Sequence, residues 1–311
     1  MRPVLAPAPR HPRRLVYLGT PALAVPPLRA LHDAGHEIAL VVSRADKRRG
    51  RGGGLHPSPV KAAALDLGLP VTDRLEEALG VGADLGVVVA YGRLIPTSLL
   101  ERLPMVNLHF SLLPRWRGAA PVERAILAGD EVTGVCLMRV EEGLDTGGVY
   151  TRTEVPIGPD DTAAELQDRL VAAGVAMLLD SLVTGLGEPV PQVGEPTYAE
   201  KLRPEELRLD WTRSAAELHR IVRVGGAYTS FRGKRLKVWR TRLLDASAGL
   251  PGGNPGGAGL RPGELVGSAV VTGRGLLELV EVQPEGRARI DARSWRNGAR
   301  PRPGERLGDE T

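Results

Sequence analysis

A single cysteine in 311 residues excludes a disulfide framework, and the six histidines, at 11, 32, 36, 56, 109 and 219, form no metal-ligand spacing. No apolar run approaches the ~18–20 residues of a membrane helix. Residues 1–14 are rich in Pro and Arg and lack the apolar stretch of a secretory leader, so a disordered tail is expected there. A cytoplasmic protein without a membrane partner is the reading these absences leave. Hydrophobic residues make up 42% of the chain, enough for a real core, and the length suits two domains.

Leu15–Leu18 is a short apolar run ending at Gly19, a buried strand entering a turn. Pro21–Ala34 has helical spacing, Ile38–Val42 is the next strand, and Val87–Ala90 is apolar on both faces like a central parallel strand. Such alternation predicts an α/β fold with an open, mostly parallel sheet. A dinucleotide site is disfavoured. Leu18-Gly19-Thr20-Pro21 has one glycine where the phosphate fingerprint needs three, and Pro21, Pro26 and Pro27 occupy the start of the following helix. A long helix is expected over about 162–185, with Thr162 and Glu165 in capping-box spacing.

Gly and Pro crowd 185–196, a linker candidate. Beyond it the pattern changes to one short amphipathic helix from Ser214 and then short strands at about 228–231, 235–243, 264–272 and 276–282, with hairpin signals at 232–234 and 273–275. A small β-barrel, OB-like, is expected, with 248–263 as a flexible loop within it.

The charge divides along the same line. Residues 1–207 hold 22 Lys and Arg against 26 Asp and Glu, net −4, whereas 208–311 hold 19 against 11, net +8. A basic domain suits nucleic acid by counterion release, though an Arg-rich solvated exterior has the same composition. Within the acidic part, Arg44-Ala-Asp-Lys-Arg-Arg-Gly-Arg-Gly-Gly-Gly54 carries five cations against one acid after a strand. It reads either as a probe for an anionic partner or as a disordered surface loop.

The densest chemical signal is Met105–Pro114. Alternation along a strand points Asn107 and His109 one way and Val106, Leu108 and Phe110 the other. Glu142-Gly-Leu-Asp-Thr-Gly-Gly148 holds Asp145 in a glycine-rich turn. Each piece alone has a structural reading, as a hydrogen-bonded core histidine or an Asx turn. Together they supply an imidazole, a carboxylate to orient it and an amide to donate to an oxyanion. No Ser or Cys is placed as a nucleophile, so the nucleophile belongs to the substrate.

Asn107-Leu-His109-Phe-Ser-Leu-Leu-Pro114-Arg-Trp-Arg-Gly-Ala-Ala-Pro121, with Thr133-Gly-Val135 and Gly143-Leu-Asp145-Thr-Gly147, resembles the 10-formyltetrahydrofolate-dependent formyltransferases. Further matches are Leu18–Pro21, Pro57–Lys61, Val87–Gly92, Tyr198–Lys201 and Leu209–Trp211, so similarity runs from about 15 to 240, and more loosely to Arg306 and Leu307. The resemblance is closest to the branch whose acceptor is methionyl initiator tRNA. It implies a Rossmann-like catalytic domain over 15–189, a linker over 190–207 and a basic OB-like tRNA-binding domain over 208–311. It implies that Asn107, His109 and Asp145 are catalytic, that Ser111, Leu112, Leu113, Pro114 and Tyr91 lie against the folate, and that Lys47, Arg48, Arg49 and Arg51 meet the tRNA. The formyl donor would be 10-formyltetrahydrofolate, without a metal, in a monomer. Two positions depart from the family pattern, Phe110 for a small residue and a short Val222–Tyr228 segment. The rival readings are a sugar-amine or glycinamide ribonucleotide formyltransferase, and an RNA-binding module with an inactive catalytic half.

Overall fold

The computed structural model describes residues 5–49, 54–244 and 259–309. The chain forms two compact units, one of Met1–Val122, Glu131–Ile157 and Glu165–Glu200, the other of Glu123–Asp130, Gly158–Ala164 and Lys201–Thr311.

The first unit opens with β1 (Arg14–Gly19), buried at every position after its first, then α1 (Val25–Asp33), with Pro26 in the first turn where no N–H is needed, and β2 (Glu37–Val42). A separate ribbon follows, β3 (Lys47–Arg49) against β4 (Gly54–His56). Next comes α2 (Pro59–Asp66), capped by the Ser58 hydroxyl, which accepts from the Lys61 N–H at 3.0 Å. The chain continues through β5 (Val71–Thr72), β6 (Leu85–Val89), α3 (Thr97–Leu100), β7 (Met105–His109), β8 (Arg117–Gly118), α4 (Pro121–Ala128), β9 (Val132–Arg139), β10 (Val149–Pro156), α5 (Ala163–Thr184) and β11 (Tyr198–Ala199).

Seven strands form one sheet in the order β10-β9-β7-β6-β1-β2-β5. The five from β7 to β5 are parallel, and β9 and β10 add an antiparallel edge. All five residues of β6 are buried, as a strand covered on both faces requires. Strand order reverses at β1 and β6, and open α/β sheets bind ligands at the carboxyl ends of strands flanking such a reversal.

The expected disordered tail is a packed segment over 5–13. Leu5 lies against the core of the sheet, the Ala6 N–H donates to the Leu100 carbonyl (3.1 Å), and the Leu186 N–H donates to the Arg10 carbonyl (2.8 Å). Those apolar and backbone contacts were hidden behind the Pro and Arg composition; residues 1–4 lie outside the described residues. The expected linker also differs, because its first half is bound to the first unit. Val190 exchanges backbone hydrogen bonds with Val149, and β11 pairs with β8.

The second unit contains α6 (Ala215–Arg223), β12 (Tyr228–Phe231), β13 (Lys234–Leu243), β14 (Leu265–Val266), β15 (Ala269–Val271), β16 (Leu276–Pro284), β17 (Ile290–Asp291) and α7 (Ala292–Ala299). The capping box of α6 is present, with Ser214 and Glu217 bonded reciprocally. Arg232 and Gly233 both have positive φ (49° and 69°), the primed turn that matches strand twist in a two-residue hairpin. The expected 264–272 strand is broken at Gly267 (φ 59°) into β14 and β15. The strands form an antiparallel sheet, β12-β13-β16-β15-β14 with β17 beside β16, over a core that includes Trp211, Leu218, Val238, Leu277 and Trp295. Among the described residues no pairing closes this sheet into a barrel; its last edge strand, β14, is two residues long. The expected loop 248–263 lies outside the described residues up to 258.

Candidate active site

Asn107 and His109 stand at the carboxyl end of β7. Leu108 faces away from them, toward Gly174 of α5, so alternation leaves the Asn107–His109 face for the crevice. Across the strand pairing, Asn107 is level with Met138 and His109 with Cys136. Leu113 packs on Cys136 and Met138, which brings the Ser111–Pro114 turn back over the same face. Burial pushes the Cys136 thiol up, so it is an inert wall residue.

His109 is 5% exposed and both its ring nitrogens face oxygen. Nδ1 lies 3.5 Å from Asp145 Oδ2, and Nε2 lies 2.9 Å from the Trp116 carbonyl. A neutral ring can donate to only one of these, and an imidazolium to both. Asp145 and Trp116 have positive φ (52° and 62°), uncommon for residues other than glycine. Strained backbone of this kind persists where surrounding contacts over-determine it.

Those contacts are visible. Asp145 Oδ2 accepts the Gly118 N–H at 2.8 Å. Gly118 has φ 123°, and a Cβ there would meet the Ala199 carbonyl oxygen at 2.8 Å, so only glycine fits β8 against β11. Gln192 Nε2 donates to the carbonyls of Asp145 and Gly147, both at 2.8 Å, while its Oε1 accepts from Arg117 Nε and Nη2 at 3.1 and 2.7 Å. Thr197 Oγ1 accepts the Trp116 N–H at 2.9 Å. The 192–199 segment therefore holds both turns that face His109. Ser111 turns inward, donating to the Arg115 carbonyl at 2.6 Å.

One polar group on this face is unspent. The Asn107 side chain, half-buried, makes no hydrogen bond to any described residue. Tyr91, following β6, is instead buried in the core cluster of Leu75, Val88 and Leu99, with its hydroxyl beside Arg93. Burial pushes its phenol above the usual range, partly offset by the nearby Arg93 guanidinium. Its backbone carbonyl accepts from the Thr20 hydroxyl at 3.2 Å, tying the ends of β6 and β1.

Sequence reasoning thus brings Asn107, His109 and Asp145 to one place, with Leu113 and Ser111 packed beside them. The cationic segment is a ribbon rather than a loop at its base: Lys47 and Arg48 are exposed on β3, and neither pairs with a carboxylate among the described residues. Asp46, the acid of that run, is taken by Lys61 at 2.8 Å. Arg49 ends β3, and Arg51 lies outside the described residues. Gln192, Thr197 and Gly118 were missed. They sit in segments without periodicity, and only the fold brings them to Asp145. Among the described residues no group of His, Cys, Asp and Glu could hold a metal ion, and no helix is long and apolar enough to cross a membrane.

Comparison with known proteins adds whole-chain relationships. Residues 13–182 match the formyl transferase family, and residues 201–300 match the formyl transferase C-terminal domain. The methionyl-tRNA formyltransferase of Symbiobacterium thermophilum is 44% identical over 309 residues, covering 92% of each chain. That of Heliobacterium modesticaldum is 42% identical over 317 residues, covering 95% of this chain and 100% of its own. Among solved structures, an N-formyltransferase from Helicobacter canadensis, in complex with folinic acid and dTDP-3-aminofucose, shares the fold with a TM-score of 0.63 and 16% identity, over 86% of this chain and 98% of its own.

Proposed function

The chain belongs to the formyl transferase family, and we propose that it transfers a formyl group from 10-formyltetrahydrofolate to the α-amine of methionyl initiator tRNA. The observation that carries this reading is the pairing of His109 with Asp145 beside an Asn107 amide that no other described residue uses. The acceptor follows from relatives named for methionyl-tRNA, which are similar along 92% of this chain or more.

The folate donor fits the residues present. The Asn107 amide, unspent among the described residues, is a polar group left for a ligand, and Ser111–Pro114 turn over the same face to supply its wall, with Tyr91 assigned there by the family resemblance alone. The donor brings the formyl carbon, and its N10 departs carrying a proton. Asn107 donates to the formyl oxygen as negative charge builds there; one such donor is typically worth ~10²–10³ in rate. The attacking amine must lose a proton that N10 gains, and His109 stands where it can carry it. Asp145 orients the ring toward the reacting atoms. An α-amine titrates near ~7.7–8.0, so a useful fraction is free amine at neutral pH. The chemistry these residues perform uses no nucleophile from the protein.

Lys47, Arg48, Arg49 and Arg51 are assigned to the acceptor end of the tRNA, supported by the unpaired exposure of Lys47 and Arg48. The second unit is assigned an OB-like architecture. Support comes from its five-strand antiparallel order and from irregularities in β13 at Val238/Arg240 and Arg240/Thr241, which curve a strand. A cytoplasmic monomer completes the reading. Acceptor competition tests it: the enzyme should formylate methionyl initiator tRNA and leave a nucleotide-linked amino sugar or glycinamide ribonucleotide untouched. Transfer to either small amine in preference to tRNA would overturn the acceptor.

A further inference from the structure

Many cations of the second unit are neutralised by its own acids. Arg213 pairs with Glu217 (2.9 Å), Arg232 with Glu305 (2.7 Å), Arg242 with Glu278 (3.2 Å) and Arg124 with Glu206 (2.6 Å). Two buried side chains beside them are equally committed. His219 and Arg223 bond the carbonyls of Pro159, Asp161 and Gly158, so the cavity they line offers a ligand little.

One face of the sheet is different. Along β13, Leu236 and Val238 point into the core while Arg235, Lys237 and Trp239 point out. Strand pairing sets Tyr228, Lys237 and Gln283 in one row across β12, β13 and β16. Trp239 is fixed in place: its indole N–H donates to Gln283 Oε1 at 3.0 Å, and Gln283 Nε2 donates to the Arg287 carbonyl at 2.9 Å. That second bond ties down the turn carrying Arg289, whose guanidinium lies 3.3 Å over the indole ring. Lys237 is 5.7 Å from the same ring, and Arg235 is 4.1 Å over the Tyr228 ring.

None of Arg235, Lys237, Arg287 and Arg289 forms an ion pair among the described residues. The adjacent Glu285 carboxylate accepts the Arg235 backbone N–H at 3.2 Å. Aromatic rings hold these cations in place without cancelling their charge. An anion-binding surface needs that combination, because a carboxylate partner would have to be displaced first.

We propose that this outer face of β12, β13 and β16, centred on Trp239, is where the second unit grips RNA, with Arg235, Lys237 and Arg289 taking successive backbone phosphates. The proposal rests on the tRNA acceptor reading above and adds to it the residues that hold the acceptor. Such contacts position the substrate and leave the chemistry alone, so they act on KM and on salt dependence rather than on kcat.

The test compares wild type, Lys237→Ala/Arg289→Ala and the carboxylate-paired control Arg213→Ala, using methionyl initiator tRNA across a salt series. The double variant should raise KM about tenfold with kcat unchanged. Its log KM against log salt should be shallower by about 2, one for each lost phosphate contact. Arg213→Ala should follow wild type. Should the double variant lose its folded circular dichroism, Arg235→Ala is the substitute, with a slope reduced by about 1. A KM and slope identical to wild type in these variants overturn the proposal. Failure of the acceptor reading shows separately, as absence of formyl transfer by wild type; direct binding of uncharged tRNA by the same variants then decides the face.

Discussion

The two units each bury a histidine, and the two have different surroundings. His219, on α6, has Nδ1 bonded to Thr241 Oγ1 (2.9 Å) and Nε2 shared between the Pro159 carbonyl (3.3 Å) and the exposed Asp160 carboxylate (3.1 Å). Both of its ring nitrogens find partners within the second unit. His109 has a carboxylate on one side and a carbonyl on the other, yet next to it on the strand lies an amide with no hydrogen bond among the described residues. Burial of a histidine therefore marks nothing by itself. An unspent partner beside it does.

Substitutions should separate the two. His109→Ala should lower kcat/KM by ~10²–10⁴, the usual worth of a positioned acid–base group, with melting temperature little changed. Asn107→Ala should cost ~10²–10³ in kcat with KM for tRNA unaltered. Gln192→Ala removes the clamp on the Asp145 and Gly147 carbonyls and should cost about tenfold in kcat, from a lost hydrogen-bond pair worth ~1–1.5 kcal/mol. His219→Leu should leave kcat within twofold and destabilise by ~1–3 kcal/mol, read by denaturant titration, because Thr241 and the Pro159 carbonyl lose their partner.

The pH responses sharpen the same contrast. Burial lowers the His219 pKa from 6.5, against a smaller opposing pull from Asp160. The folded state then binds fewer protons than the unfolded chain below pH 6.5. Stability of wild type should fall as pH drops from 6.5 through the lowered folded value, and that dependence should weaken in His219→Leu, leaving the share of His36, whose pKa burial also lowers. The smallest effect belongs to Glu217, held at about 2 by Ser214 and then Arg213. Its depressed pKa adds stability above 4.5 that is lost as pH falls toward 2, so Glu217→Gln should flatten the acid limb of a melting series without touching activity.

Much of this was legible in the chain. Strand alternation placed Asn107 and His109 on one face, the amphipathic pattern from Ser214 marked α6, and charge partition separated the basic unit. What stayed hidden depends on distant partners. Residues 5–13 look like a tail until Leu100 and Leu186 are placed beside them, and Gln192 sits among Gly and Pro with no period to betray it. The 264–272 run was strand-like in composition, yet Gly267 breaks it because a left-handed turn costs glycine nothing. The units themselves are discontinuous, with Glu123–Asp130 and Gly158–Ala164 belonging to the second, which no linear reading could show.

The central claim is that His109, oriented by Asp145, serves formyl transfer to methionyl initiator tRNA. Its most direct test is product formation from 10-formyltetrahydrofolate by wild type and by His109→Ala at saturating tRNA. Formyl-methionyl-tRNA from wild type, with turnover reduced at least about 10²-fold in the variant, is the predicted result. No product from wild type, or equal turnover by the two proteins, would contradict it.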